Sequence, residues 1–165
     1  MVMRYDREEC YEKGEQYQAF IQEELRHHGI IIYNYTTKEE QYNIGENKFG
    51  LEIKFDDKVF TYDKKGRLYI ETHEKAYIRD GEFAPSGILR EDNTWLYGVG
   101  NYNFFYIFSK PYLRRLYRSG ISGFSNVSWI HWPKPTLTSK GFCIPLEKAD
   151  IIAAKIINFK NHTDP

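Results

Sequence analysis

Charged and apolar residues alternate over a short segment in the first half of the chain. Residues 51–56 read Leu-Glu-Ile-Lys-Phe-Asp, and a β-strand of this pattern places Glu52, Lys54 and Asp56 on one face and the apolar residues on the other. Carboxylates beside an ammonium group are the side chains that bind divalent cations and phosphate groups. This segment is therefore the first candidate for a site that does chemistry.

A second segment repeats the alternation after a charged turn. Residues 59–62 and 67–75 flank Asp-Lys-Lys-Gly, which predicts a hairpin around a glycine-containing turn. In a tight hairpin, Asp56 lies roughly across from His73 and within two residue pairs of Glu71, whereas a bulge would shift this register. The pattern thus predicts that the carboxylates of Asp56 and Glu71 meet at one end of the sheet.

Two carboxylates on facing strands suit a hard divalent cation. Mg²⁺ prefers oxygen ligands and commonly binds one or two protein carboxylates together with water and substrate phosphate, and Mn²⁺ accepts the same ligands. A cation held there would polarise a phosphoryl oxygen and activate an attacking water, which is the chemistry of phosphodiester hydrolysis. The alternative interpretation is a solvated charged face with cross-strand ion pairs such as Lys58–Glu71, and spacing alone favours that alternative.

The same segments carry a resemblance to a known superfamily. Residues 51–56 followed by Leu-Tyr-Ile-Glu at 68–71 resemble the PD-(D/E)XK nuclease superfamily, and are most similar to small phage-type members with a V-E-V-K-x-D strand and then F-I-E. Downstream, Ser-Gly-Ile at 86–88, Asp-Asn-Thr-Trp-Leu-Tyr at 92–97 and Gly-Phe-Cys-Ile-Pro-Leu at 141–146 are similar to the S-G-I, A-D-Y-W and I-L-V-P-L segments of those proteins. The resemblance covers the chain from about 49 to 146 in separate pieces.

The resemblance implies roles for individual residues. Asp56 corresponds to the metal-binding aspartate, and Glu71 corresponds to the acidic residue of the E-x-K element. The lysine of that element is replaced by His73 in this sequence. His73 would then act as a base or a phosphate ligand, or the lysine role would pass to Lys75 or to Lys54.

Two further carboxylates are candidates for metal ligands. Glu52 shares the face of Asp56 and is the second choice for the aspartate position. Glu15 lies in the predicted N-terminal helix, where many superfamily members carry an additional metal-binding glutamate; a solvated helix glutamate is the alternative. The resemblance implies Mg²⁺ or Mn²⁺ as cofactor and DNA as substrate, with RNA as the alternative, and a homodimer is the implied assembly because a duplex has two strands.

A cluster of basic residues in the second half suits a nucleic-acid backbone. Lys110, Arg114 and Arg118 recur at every fourth position and share one face of a helix, with Arg115 beside them. Such a row would neutralise phosphates and make binding salt-dependent, while nearby tyrosines and tryptophans would stack on unpaired bases. The alternative is an amphipathic surface helix whose apolar stripe packs on the core.

The elements that must position these residues are predicted from periodicity and from glycine and proline. Helices are expected at 6–28, 110–118 and 148–159, further strands at 30–33, 94–99, 104–108 and 141–146, and loops at 36–45 and 119–141. This order predicts a single α/β (α+β) domain over residues 1–165, with a mixed central β-sheet flanked by helices. The resemblance adds the expectation of a restriction-endonuclease-like core.

Composition narrows the class of protein. Of the 165 residues, 17% are aromatic, which excludes intrinsic disorder, and no run is apolar enough for a membrane helix or a secretory signal. Cys10 and Cys143 lack zinc-ligand spacing, so we expect two unpaired thiols in a reducing cytoplasm. The resemblance implies that this is the cytoplasm of a bacterial, archaeal or phage-infected cell. The zero net charge combines residues 1–82, with 18 acidic and 13 basic side chains, and residues 83–165, with 5 and 10.

These patterns together predict a metal-dependent DNA nuclease whose carboxylates lie on a β-hairpin. The alternative is a catalytically inactive nucleic-acid-binding or protein-interaction module on the same fold, and the replacement of the E-x-K lysine by His73 motivates it.

Overall fold

The computed structural model describes residues 7–35, 37–60, 64–75, 81–122, 128–136 and 138–159. Its helices are α1 (Arg7–His27), α2 (Lys38–Ile44), α3 (Lys110–Ser122) and α4 (Leu146–Ile152). Its strands are β1 (Leu51–Phe55), β2 (Arg67–Glu74), β3 (Ala84–Pro85), β4 (Leu96–Asn101), β5 (Phe104–Ser109), β6 (Ser139–Pro145) and β7 (Lys155–Asn158). A short 3₁₀ turn spans Gly87–Leu89.

The first sheet is mixed and contains the strand that carries Glu52 and Lys54. Its order is β1-β4-β5-β7. Strand β1 runs parallel to β4, whereas β5 pairs antiparallel with β4 and with β7. Glu52 is opposite Tyr97 in the register. Because β1 is at one edge of this sheet, the candidate residues of the first segment lie at that edge too.

The second sheet is antiparallel, in the order β3-β2-β6, and places Glu71 opposite Gly141. One hydrophobic cluster joins the two sheets, and it includes Leu68 and Ile70 of β2 together with Tyr97 of β4. Residues of α3 and α4 complete this cluster. The predicted apolar row of β2 therefore faces the core, and Glu71 belongs to the alternate row.

Helix α1 covers the other face of the mixed sheet. Its residues Tyr17, Ile21 and Leu25 recur at every fourth position and are buried, and they pack with Leu51 and Ile53 of β1. This is the apolar stripe of an amphipathic helix, and it fixes the helix against the strand that carries the candidate residues. The predicted fold class, mixed α+β with helices flanking a mixed sheet, is confirmed.

The predicted hairpin is wrong in its strand pairing. Strand β2 pairs with β6 and β3, and residues 57–60 form a turn instead of a strand, while 61–63 lie outside the described residues. A backbone hydrogen bond of 2.7 Å from the Arg67 N–H to the Val59 carbonyl links the two segments. The alternation of apolar and polar residues predicted the position of β2 correctly. However, β2 forms its ladder of backbone hydrogen bonds with strands that come later in the chain.

The other predicted elements have separate outcomes. The helices at 6–28 and 110–118 and the strands at 94–99, 104–108 and 141–146 are present with small shifts of boundary. The helix at 148–159 is wrong, because α4 is short and β7 follows it as a strand of the mixed sheet. The expected loop at 36–45 contains α2, and 30–33 forms no strand.

None of the helices in the described ranges is both long and apolar enough to cross a membrane.

Candidate active site

The Glu71 carboxylate on β2 is held by side chains from three other parts of the chain. Its Oε1 accepts hydrogen bonds from Lys54 Nζ at 3.3 Å and from Ser86 Oγ at 3.0 Å, and its Oε2 accepts one from Ser139 Oγ at 3.2 Å. Lys54 belongs to β1, Ser86 precedes the 3₁₀ turn, and Ser139 begins β6. Both oxygens of Glu71 are thus fixed in orientation.

The Lys54 ammonium lies between two glutamates. Its Nζ is 3.2 Å from Glu52 Oε1 and 3.3 Å from Glu71 Oε1. Burial alone would lower the pKa of Lys54, but the carboxylates of Glu71 and Glu52 hold it well above its usual value. Lys54 is therefore charged at neutral pH and gives the site a fixed positive charge instead of a proton acceptor.

Glu52 is fully buried, although the alternation of β1 predicted a charged face. Its Oε2 is 3.1 Å from Lys110 Nζ, and the same nitrogen is 3.3 Å from Asp92 Oδ1. Burial would raise the pKa of Glu52, but Lys54 and Lys110 hold it below its usual value. Glu52 is thus ionised within a network of buried charges.

Because Lys110 belongs to this buried network, it is removed from the predicted phosphate-binding row on α3. Lys110 is 1% exposed and its ammonium is enclosed by carboxylates, so it does not meet a phosphate at the surface, contrary to the expectation. The Arg114 guanidinium donates to two backbone carbonyls in the segment before β4. Arg115 and Arg118 are exposed, so these two remain available to a partner.

Asp56 follows β1 and accepts hydrogen bonds from two backbone groups. Its Oδ1 accepts from the Lys58 N–H at 3.0 Å, and its Oδ2 accepts from the Tyr69 N–H at 2.9 Å. Burial raises the pKa of this carboxyl in spite of both hydrogen bonds. Asp56 therefore lies beside Tyr69, and its predicted position across from His73 is wrong because β1 and β2 belong to different sheets.

Asp56 and Glu71 line one cavity of about 460 Å³, and Lys54 lines it as well. The other cations around this cavity are Lys58, Arg67 and Lys134. The structure thus brings together two carboxylates and one lysine that the sequence singled out as catalytic or metal-binding. The sequence analysis did not assign these cations to the site, because their convergence on one cavity depends on tertiary structure.

His73 and Lys75 lie outside this cavity. A bulge interrupts the pairing of β2 with β6 between Glu71 and His73, and a bulge breaks the alternation of faces. The His73 ring lies 6.4 Å from the ring of Tyr117 on α3. Of the three candidates for the lysine of the E-x-K element, Lys54 is the one that contacts Glu71.

Glu15 lines a different cavity, of about 760 Å³, between α1 and the end of β1. Lys54 lines both cavities, whereas Asp56 and Glu71 line only the smaller one among these two. The structure therefore does not bring Glu15 together with the Asp56 and Glu71 pair, although Lys54 and Lys58 line both cavities.

Glu46 is a buried carboxyl that the sequence analysis did not single out. It lines the larger cavity, and its Oε2 accepts a hydrogen bond of 2.8 Å from the Ile53 N–H. Burial and the neighbouring Glu52 raise the pKa of Glu46 to about 7. Its sequence context, Gly-Glu-Asn before β1, carries no periodic signal, so only the fold reveals it.

Two downstream segments of the resemblance contact the site. Ser86 donates to Glu71, and Gly87, with φ of +49°, passes so close to the Glu71 carbonyl that a Cβ there would clash. Asp92 belongs to the buried network around Glu52. The Tyr97 hydroxyl accepts a hydrogen bond of 3.2 Å from the Glu71 N–H. In the sequence, these segments are similar to the same superfamily as the carboxylate segments. That shared resemblance was the available signal for their place at the site.

The oxygen donors of the smaller cavity suit a hard cation. Asp56 and Glu71 supply the carboxylate ligands that Mg²⁺ and Mn²⁺ prefer. Within the described ranges, no three His, Cys, Asp or Glu side chains are grouped as a metal site. A cation here would therefore complete its coordination with water and substrate phosphate oxygens, as Mg²⁺ commonly does.

A scan against protein-family models, a search of curated proteins and a search of solved structures each return no match for this chain.

Proposed function

We propose that this protein is a metal-dependent nuclease that hydrolyses phosphodiester bonds of DNA. The observation that carries the proposal is the contact of 3.3 Å between Lys54 Nζ and Glu71 Oε1 in a cavity that Asp56 also lines. Two carboxylates beside a fixed ammonium provide for a divalent cation and for the phosphate on which it acts. The resemblance to PD-(D/E)XK nucleases supports the same chemistry.

The residues of the cavity take distinct roles in this proposal. Asp56 and Glu71 would hold Mg²⁺ or Mn²⁺, which when bound polarises a phosphoryl oxygen and lowers the pKa of an attacking water. Lys54 would hold the scissile phosphate and stabilise negative charge in the transition state, because its raised pKa keeps it charged. Lys58 and Lys134 would neutralise the adjacent phosphates.

The exposed Arg115 and Arg118 on α3 would extend the contact to a longer substrate. RNA is the alternative substrate, since the chemistry at the phosphate is the same. A homodimer would present two sites to the two strands of a duplex, and sedimentation of the protein with and without DNA tests that assembly. We expect the protein to act in the cytoplasm.

The test compares isosteric variants on a panel of substrates. Plasmid, single-stranded DNA, branched DNA and RNA are incubated with Mg²⁺ or Mn²⁺, and with a chelator. Asp56→Asn and Glu71→Gln should each reduce metal-dependent cleavage by about tenfold to a hundredfold or more, because each removes a charged ligand of the cation. Glu147→Gln on the exposed surface of α4 is the matched control and should cleave as the wild type does.

Absence of metal-dependent cleavage of every substrate would refute the proposal. So would undiminished cleavage by both Asp56→Asn and Glu71→Gln.

A catalytically inactive nucleic-acid-binding or protein-interaction module is the second candidate. It is favoured by the hydrogen bonds that each oxygen of Asp56 and Glu71 already accepts from the protein. Calorimetric titration with Mn²⁺ separates the two: a catalytic site binds the ion and loses it in Glu71→Gln, whereas an inactive module gives no heat that depends on Glu71.

A further inference from the structure

Two lysine ammonium groups share one aromatic ring beyond the bulge of β2. Lys75 Nζ is 4.6 Å from the centroid of the Phe83 ring, and Lys140 Nζ is 4.2 Å from the same centroid. Both distances are within the range of a cation–π contact. Lys75, Lys140 and Phe83 are called the Phe83 patch below.

The Phe83 patch concentrates positive charge. In the part of the chain that the structure describes, neither ammonium forms an ion pair with a carboxylate. His73 is opposite Lys140 in the register of β2 and β6. Two ammonium groups held at one ring attract an anion.

Aromatic rings continue from the patch to the surface. The Tyr117 ring lies 6.4 Å from that of His73 and 5.8 Å from that of Trp132. Trp132 is 42% exposed, so part of its ring is available for stacking. Trp132 is thus linked to His73 through Tyr117. Ammonium groups together with an exposed aromatic ring are the combination that binds unpaired nucleotides, because phosphates meet the ammonium groups and a base stacks on the ring.

The patch lies close to the proposed site along the chain. His73 and Lys75 are two and four residues after Glu71, so at a rise of about 3.3 Å per residue they lie roughly 7 and 13 Å further along the chain. Lys140 precedes Gly141, which is opposite Glu71. Ser139 Oγ contacts Glu71 Oε2, and successive residues of a strand point to opposite faces, so Lys140 and its register partner His73 lie on the face of the β2–β6 sheet opposite to the Glu71 cavity.

We propose that the Phe83 patch and Trp132 bind a single-stranded segment of nucleic acid, with phosphates on Lys75 and Lys140 and a base on Trp132. This inference rests on the proposed function and adds to it a contact for a single-stranded segment outside the Glu71 cavity. It places this contact at the end of β2 and on β6, whereas sequence periodicity favoured the row of basic residues on α3.

The test measures binding without cleavage. A fluorescein-labelled oligothymidylate is titrated in a chelating buffer over a series of salt concentrations, with fluorescence anisotropy as the readout. Lys75→Ala/Lys140→Ala should lower the slope of log K against log salt by about 1.4, because each phosphate contact on a single strand contributes about 0.7. At 0.1 M salt this corresponds to about twenty-five-fold weaker binding.

Two further variants separate charge from stacking. Lys48→Ala/Lys155→Ala removes the same charge from exposed positions elsewhere and should leave affinity and slope close to those of the wild type. Trp132→Leu should weaken binding about five-fold or more at an unchanged slope, because stacking does not release counterions. Thermal melts confirm that each variant is folded, and the lysine pair carries the test if Trp132→Leu is not.

The outcomes distinguish this inference from the proposed function. If the wild type binds the oligonucleotide and Lys75→Ala/Lys140→Ala binds it equally well, or no worse than the control pair does, the inference is overturned and the nuclease proposal stands. Tighter binding of duplex than of single strand overturns it as well. If polyglutamate binds the patch and no nucleic acid binds the protein, both are overturned in favour of an acidic protein partner.

Discussion

At the scale of the residue, the Lys54 ammonium decides the charge of the candidate site. Glu52 and Glu71 stand on either side of it, and without it two carboxylates would repel each other in a partly buried space. Its raised pKa excludes a role as general base near neutral pH, so its contribution must come from charge and position. That distinction can be measured.

Lys54→Met should lower kcat by about a hundredfold or more, which is the usual cost of removing one preorganised donor to a transition-state charge. Lys54→Arg keeps the charge and should retain more activity, with the pH profile of the wild type, because no proton transfer passes through this residue. Steady-state cleavage of labelled DNA over a range of pH checks both. An arginine variant as inactive as the methionine variant, when both are folded, would contradict this role.

Lys110 gives a prediction about stability instead of binding. Lys110→Met removes the buried ammonium that Glu52 and Asp92 share and leaves them with Lys54 and Arg90. Breaking a buried ion pair in this way costs about 3–5 kcal/mol of unfolding free energy. Arg115→Ala, at an exposed position of the same helix, should change stability by less than about 0.5 kcal/mol. Urea denaturation of both variants provides the measurement, and equal stabilities would show that Lys110 is not a structural ion-pair partner.

At the scale of the element, the sequence predicts what is local and misses what is not. The spacing of Tyr17, Ile21 and Leu25 predicts α1, and the alternation in 67–75 predicts β2, because each pattern lies within the element itself. The partner of β2 is β6, about seventy residues later, and no local pattern encodes that pairing. The hairpin was therefore placed wrongly although its second strand was right.

In the candidate site too, the residues in local sequence patterns could be predicted, and the contacts between distant parts of the chain could not. Asp56, Glu71 and Lys54 could be predicted, since they belong to two patterned strands. Glu46 and Ser86 could not be given roles, because they contact those residues only after the two sheets pack. The bulge at His73 and the burial of Lys110 are likewise tertiary properties, and they removed two predicted residues from their expected places.

Helix α2 was missed because its sequence is polar and short. Its first turn forms a capping box: the Glu40 N–H donates to Thr37 Oγ1 at 3.2 Å, and the Glu40 carboxylate accepts from the Thr37 N–H at 3.4 Å. Thr37→Ala should therefore cost about 1 kcal/mol, whereas Thr37→Ser keeps the cap and should cost little. Urea denaturation of the two variants measures the contribution of the Thr37 hydroxyl to the free energy of unfolding. Equal losses of stability in both variants would mean that the cap does not stabilise α2.

At the scale of the whole molecule, the acidic and basic halves interlock. Lys110 belongs to the basic half, yet its ammonium lies 3.1 Å from Oε2 of the buried Glu52 of the acidic half and neutralises it. Part of the basic excess therefore stabilises the fold and is not available to phosphates. The surface left for a polyanion is smaller than the charge count indicates, and it includes Arg115 and Arg118.

The buried carboxyl of Glu46 makes the stability of the whole molecule depend on pH. Its pKa rises from 4.5 to about 7 on folding, so between these values the unfolded chain has released a proton that the folded protein still holds. The free energy of unfolding therefore decreases as the pH rises through this window, and this loss of stability is complete above pH 7. At about 1.4 kcal/mol per pKa unit, the loss reaches roughly 3 kcal/mol.

Glu46→Gln keeps an acceptor for the Ile53 N–H and cannot ionise, so it escapes this loss. Its unfolding free energy should match that of the wild type near pH 5 and exceed it by a few kcal/mol near pH 8. Urea denaturation at pH 5, 6, 7 and 8 gives the difference, and Glu147→Gln on the surface should show none that changes with pH. A constant difference between Glu46→Gln and the wild type across this range would mean that Glu46 ionises equally in the folded and unfolded states.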